Sequence, residues 1–151
     1  MSTLFAVLLV THVITGIVGV VATYATLLVL QKATVVKRTF LLRSLVACLS
    51  YFTSWVSGGY YYWFYYGDNV KPIIKAGQYP WAHNVVMEVK EHIFLLLPVL
   101  SFVTVLIAWS STDCLNSNPR LKTAVTYLVA TTTVIAILVA LGGIIITGGA
   151  R

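Results

Sequence analysis

Four long apolar stretches alternate with short polar segments along the chain: Thr3–Leu30, Phe40–Tyr62, Asn84–Trp109 and Thr123–Thr147. A helix needs about 20 mainly apolar residues to cross the hydrocarbon of a bilayer, and each stretch is long enough. Short connections between successive helices favour antiparallel neighbours. The pattern therefore predicts an all-α integral membrane protein: a single transmembrane domain over residues 1–151, folded as an up-down four-helix bundle. In such a bundle the first and third helices stand diagonally across the core. The first stretch has no basic leader and outruns a signal-peptide core, so it reads as a retained helix. Pro98 in the third predicts a freed carbonyl near Phe94 and a kink.

Composition supports the bilayer as solvent. Of 151 residues, 59% are hydrophobic and 9% charged, against about 25% charged in a soluble domain. The net charge of +6 would suit a nucleic-acid partner, but its distribution argues against one. Lys32, Lys37, Arg38 and Arg43 flank the first connection and Arg120 and Lys122 the third, against Lys71, Lys75 and Arg151 on the opposite side. Basic residues collect on the cytoplasmic side, which puts both termini outside, in a bacterial or archaeal cytoplasmic membrane. Cys48 in a helix and Cys114 in a cytoplasmic loop read as reduced thiols. A homo-oligomer or a larger membrane complex stays open.

The second connection, GDNVKPIIKAGQYPWAH, carries Ile73, Ile74, Tyr79 and Trp81. It is expected either to fold back over the mouth of the bundle or to rest on lipid headgroups. Beside it, YYYWFYYG (Tyr60 to Gly67) reads as part of an aromatic belt; some of its hydroxyls have the option of pointing inward.

The candidate chemistry lies in the third stretch, where Glu88, Lys90, Glu91 and His92 fall inside an apolar run. At about 100° per residue, Glu91 and His92 lie about −60° and +40° from Glu88, whereas Lys90 and His83 lie about 200° and 220° away. The face with both carboxylates is expected to be buried, with Lys90 snorkelling to the headgroups. His12 sits nine residues in from Thr3, and His92 nine residues in from His83 at the outer end of the third helix. Both are then about 13 Å deep, and they are expected to confront each other. Gly16 and Gly19 lie on the His12 face.

Three functional readings follow. His12 and His92 are the axial ligands of a b-type haem in an electron-transfer protein, with Gly16 and Gly19 making room for the ring and Lys71 and Lys75 pairing with propionates. Alternatively His12, His92, Glu88 and Glu91 hold a Zn, Fe or Mn ion. In the third, the same ionisable groups form a proton or ion pathway. A purely structural polar knot, with His12 satisfied by a backbone carbonyl, is the bland counterpart. Through THVITGIVG around His12 and KEHIFLLLP around His92 the chain resembles small four-helix membrane cytochromes b, including those related to copper-resistance membrane proteins. The resemblance implies haem ligation by His12 and His92, although such families often have four histidines for two haems and this chain has three. No nucleophile–base–oxyanion arrangement or phosphate loop is visible, which argues against hydrolase or kinase chemistry; enzymatic activity is otherwise undecided.

Overall fold

The computed structural model describes residues 1–150; Arg151, counted above in the charge asymmetry, lies outside the described residues. Among the described residues the chain is helical almost throughout, without a strand. Six helical elements follow one another: α1 Thr3–Leu30, α2 Lys37–Asn69, the short α3 Lys71–Ala76, α4 Ala82–Ser110, the short α5 Thr112–Ser117 and α6 Pro119–Gly149. The four long ones are apolar and long enough to span a membrane, which marks an integral membrane protein.

α1 and α4 each pack mainly against α2 and α6. The contacts between neighbours run in opposite directions along the sequence. From His12–Ser54 through Thr23–Tyr51 to Arg43–Ala25, α1 ascends as α2 descends. Gly149 lies against Ala82 and Gly142 against Val86 at one end of the α4–α6 pair.

Large apolar side chains face outward, among them Val10, Ile14 and Val21 on α1 and Val134, Leu138 and Ile144 on α6. Lipid tails are as apolar as leucine, so there is little gain in hiding such residues; helices in lipid associate through close packing of small residues and through polar contacts. The interior is built that way. It holds Thr23, Thr26, Ser44, Ser54, Ser101, Thr104 and Thr132, all buried. Several of these hydroxyls are satisfied locally: Thr23, Thr26 and Ser44 donate to the carbonyls four residues back at 2.8 Å. Such bonds spare a buried hydroxyl the cost of going unpaired.

The α1–α2 seam is the tightest. A Cβ on Gly19 would run into the Tyr51 ring, and one on Gly58 into the His12 ring. Gly16 faces Ser54, whose Oγ would sit 3.4 Å from an added Cβ. The glycines thus let two large rings cross a helix interface at backbone distance. Tyr51, 1% exposed, meets Thr23 Oγ1 at 2.8 Å from that position.

The basic end is tied by side chains on backbone. Val35 N–H donates to Asn116 Oδ1 at 2.8 Å and Asn116 Nδ2 donates back to the Val35 carbonyl at 3.1 Å. Lys122 holds the loop after α1 by donating to the carbonyls of Lys32 and Ala33. Cys48 is buried and Cys114 exposed, both as free thiols.

At the opposite, aromatic end the second connection folds back over the helices. Ile74 on α3 is fully buried and clusters with Tyr66, Ala82 and Ile146. Two turns widen to π-helix here, Tyr62–Tyr66 within α2 and Ala82–Met87 at the start of α4. Farther along α4, helical bonding breaks at Leu95, where Pro98 has no N–H to give and its ring crowds the Phe94 carbonyl.

Gly58→Ala and Gly19→Ala are each expected to lower stability by about 1–3 kcal/mol, the usual cost of overpacking. Gly59→Ala, with open space around its added methyl, should leave stability level or slightly raised. Thermal unfolding of the three variants in detergent measures the difference.

Candidate functional site

Apart from Lys37, Arg38, Arg43, Arg120 and Lys122 at the basic end, the charged and histidine side chains of the spanning helices gather in the aromatic half, but not on the expected face. The buried or half-buried positions of α4 recur as His83, Met87, Lys90, Phe94, Leu97, Ser101, Thr104 and Ala108. Glu88 and His92 lie on the other side, exposed. The face calculation is therefore inverted. Glu88 and His92 look outward, and Lys90, expected to snorkel away, turns inward until its Nζ would stand 3.5 Å from a Cβ on Gly143 of α6.

The helix opposite accounts for which face is buried, and the π turn for the approach of His83 to Glu88. Gly142 and Gly143 leave a seat on α6, which Val86 and Lys90 fill. The π turn at the start of α4 then breaks the 100° rule, since a π-helix stacks residue i over i+5. His83 consequently sits above Glu88, with Nε2 3.8 Å from Oε1, where a regular α-helix would put them well apart.

His83 is 1% exposed, on the same inward side of α4 as Lys90. Its Nδ1 meets the Tyr66 hydroxyl at 3.0 Å. With Tyr66 donating, the proton of a neutral ring sits on Nε2, toward Glu88. Lys71 and Lys75, expected to pair with propionates, act on His83 electrostatically from α3, as do Glu88 and Glu91. The Tyr62 hydroxyl neighbours the Glu91 carboxylate, whose Oε1 is buried without a hydrogen-bond partner among the described residues.

His12 belongs to the same region. Its Nδ1 lies 2.8 Å from the Ser54 carbonyl and 3.0 Å from Ser54 Oγ. A carbonyl only accepts, so Nδ1 carries the proton and Nε2 keeps a lone pair. Across the diagonal the ring meets Phe94, centroids 6.2 Å apart, and lies within electrostatic reach of Lys90. His92 instead stands exposed, its Nδ1 donating to the Glu88 carbonyl of its own helix at 2.7 Å.

The expected ligands are therefore not brought together. His12 finds α4 at nearly the anticipated depth, but the residue opposite is Phe94, because His92 is rotated to the far side of the helix. Gly16 accommodates Ser54 rather than a ring. Two histidines that do not face each other do not fit a bis-histidine haem. Among the described residues no three His, Cys, Asp or Glu side chains converge as a metal ion requires, so His12, His92, Glu88 and Glu91 do not fit a Zn, Fe or Mn shell either.

A signal for the correct face was present in the sequence. Ser101, Thr104 and Ala108 are the small and hydroxyl residues of the third stretch and mark its packed side. Stepping back from them by alternating threes and fours reaches Phe94, Lys90, Met87 and His83. The aromatic octet divides by the same logic: Trp63 is 77% exposed and Phe64 55%, whereas Tyr66 is 4% exposed.

Comparison with protein-family models, with curated proteins and with solved structures finds no match to this chain.

Tyr66→Phe removes the hydroxyl that His83 uses and is expected to cost about 1–3 kcal/mol, the price of an unsatisfied buried polar group. Tyr60→Phe, at an exposed position, should change stability by less than about 0.5 kcal/mol. Melting temperatures in detergent compare the two.

Proposed function

We propose that the chain is an up-down four-helix bundle of a cytoplasmic membrane, its termini outside, and that it passes protons across that membrane through the bundle interior. The antiparallel contacts between neighbouring helices support the topology. The grouping of Lys32, Lys37, Arg38, Arg43, Arg120 and Lys122 at one end supports the orientation.

The observation that carries the reading is Lys90. A half-buried ammonium turned toward the interior of a membrane bundle is costly, and ionisable groups so placed commonly mark proton and ion routes. Here it is accompanied by groups able to exchange protons with it. Glu91 is its sequence neighbour and its electrostatic partner, and His12 offers the free Nε2 lone pair. On the outer side, Tyr66, His83 and Glu88 lead from α3 toward the same region. A proton arriving at His83 moves to a Glu88 or Glu91 carboxylate; Lys90, in its amine form, takes it up, and His12 Nε2 receives it next. Each transfer breaks one O–H or N–H bond and forms another.

Toward the cytoplasm the route continues as hydroxyls. Thr23, Thr26, Ser44, Ser101, Thr104 and Thr132 line a cavity of about 10 Å³ drawn from all four long helices, close to the space one water molecule occupies. These hydroxyls donate to carbonyls of their own helices and turn no polar surface to the cavity, so this half of the route requires them to rotate toward a water there. Two π turns flank the outer cluster, a feature frequent at functional sites.

The test uses full-length protein in liposomes loaded with a pH-sensitive dye, with a potassium diffusion potential imposed. Wild type is expected to acidify or alkalinise the lumen according to the sign of the potential. Lys90→Met and Glu91→Gln should slow the rate about tenfold or more, while Lys75→Met should alter it little. Wild-type vesicles no leakier than empty ones would overturn the proton reading. A b-type α band in the reduced-minus-oxidised spectrum of purified protein would replace it with electron transfer.

A further inference from the structure

Glu88 is the carboxylate and His92 the imidazole that stand exposed at membrane depth among the described residues. With α4 centred in a hydrocarbon layer of about 30 Å, His92 lies about 6 Å and Glu88 about 12 Å from the midplane. Other outward faces at that depth are apolar, as on α1 (Val7, Val10, Ile14, Ile17) and α6 (Val134, Leu138, Leu141). A carboxylate and an imidazole left against acyl chains are costly, and such groups are normally covered by protein.

They belong to a continuous seam. Val85, Glu88, His92, Leu95, Val99, Phe102 and Leu106 are all exposed and succeed one another in steps of alternating three and four residues. That is the seven-residue repeat by which two parallel helices wind about each other, a polar residue in the seam setting register. The buried stripe of α4 keeps the same repeat on its opposite side, so the helix has two packing faces and the monomer uses one.

We infer that this second face of α4 is the interface of a homodimer, with Glu88 of each copy paired to His92 of the other. The occupant follows from charge complementarity within one stripe. Two copies inserted in the same sense are related by a two-fold axis along the membrane normal, which sets α4 parallel to its counterpart. Identical residues then lie level, and Glu88 sits one helical turn from the facing His92. His92 Nδ1 is already committed to the Glu88 carbonyl of its own helix at 2.7 Å, which leaves Nε2 directed outward. One proton serves each pair, carried as Nε2–H donating to a carboxylate or as a carboxylic O–H donating to Nε2. The side chain of Glu88 is 49% exposed while its Oε1 lies 3.8 Å from His83 Nε2, so the partner would cover the half that the monomer leaves open. This interface stands on packing and charge alone and does not depend on proton movement.

The experiment is oxidative cross-linking of full-length protein in phosphatidylcholine–phosphatidylglycerol vesicles, in a Cys114→Ser background that removes the exposed native thiol. Val99→Cys, on the seam, is expected to give a dimer; Leu138→Cys, exposed on α6, should stay monomeric. His92→Leu should weaken association about three- to twenty-fold, the span of interhelical polar contacts in membranes, read as the dimer fraction across protein-to-lipid ratios. Leucine is better tolerated by lipid than histidine, so a loss of dimer cannot come from poorer insertion. Equal cross-linking at the two positions, an unchanged dimer fraction in His92→Leu, or a wild-type protein monomeric at every ratio would each overturn the inference. The last result would leave the seam to a different membrane protein.

Discussion

Helices in a bilayer gain almost nothing by hiding apolar surface from lipid, so they adhere where backbones approach closely and polar groups meet. In this chain that condition is met first between α1 and α2. Gly19 lies beneath the Tyr51 ring and Gly58 beneath the His12 ring. Because both rings are held, Tyr51 reaches Thr23 and His12 reaches the Ser54 backbone. The register of the two helices is thereby set, and with it the level at which every other inward-facing hydroxyl appears. Replacing either glycine pushes a ring back into the seam and disturbs the polar contacts above and below it.

From that pair the interior divides into two halves. Toward the basic end it is a layer of serine and threonine hydroxyls, satisfied largely by their own helices and enclosing only a small cavity. Toward the aromatic end it carries titratable groups: Tyr62, Tyr66, His83, Lys90, Glu91 and His12. The widened turns in α2 and α4 belong to this second half, and so does the folded-back α3 with its buried Ile74. Local helical irregularity is thus concentrated where charges must be accommodated.

Glu88 joins the inward and outward chemistry of α4. One of its oxygens approaches His83 while half the side chain remains uncovered. His92, four residues on, is held to the Glu88 backbone and looks away from the bundle. From the sequence alone both residues read as inward ligands, since an uncovered carboxylate is costly in hydrocarbon. Cover is indeed needed, but it need not come from the same chain.

Much of the architecture was legible before any coordinates, because the bilayer imposes a length and an apolarity on each crossing that composition cannot conceal. The number of long helices, the break near Pro98 and the gathering of ionisable groups in the third apolar stretch all follow from local chemistry. So does the importance of Gly16 and Gly19, although their partner proved to be Ser54 and Tyr51 rather than a cofactor. What only the tertiary structure decided is the rotation of α4. The seat offered by Gly142 and Gly143 on a helix far away in sequence draws Lys90 inward, and one π turn restacks His83 over Glu88. A helical face calculated at 100° per residue has no knowledge of either. The same rotation carries His92 to the outside and sets Phe94 opposite His12, since a helix turns as a rigid body and one buried side chain orients all the others.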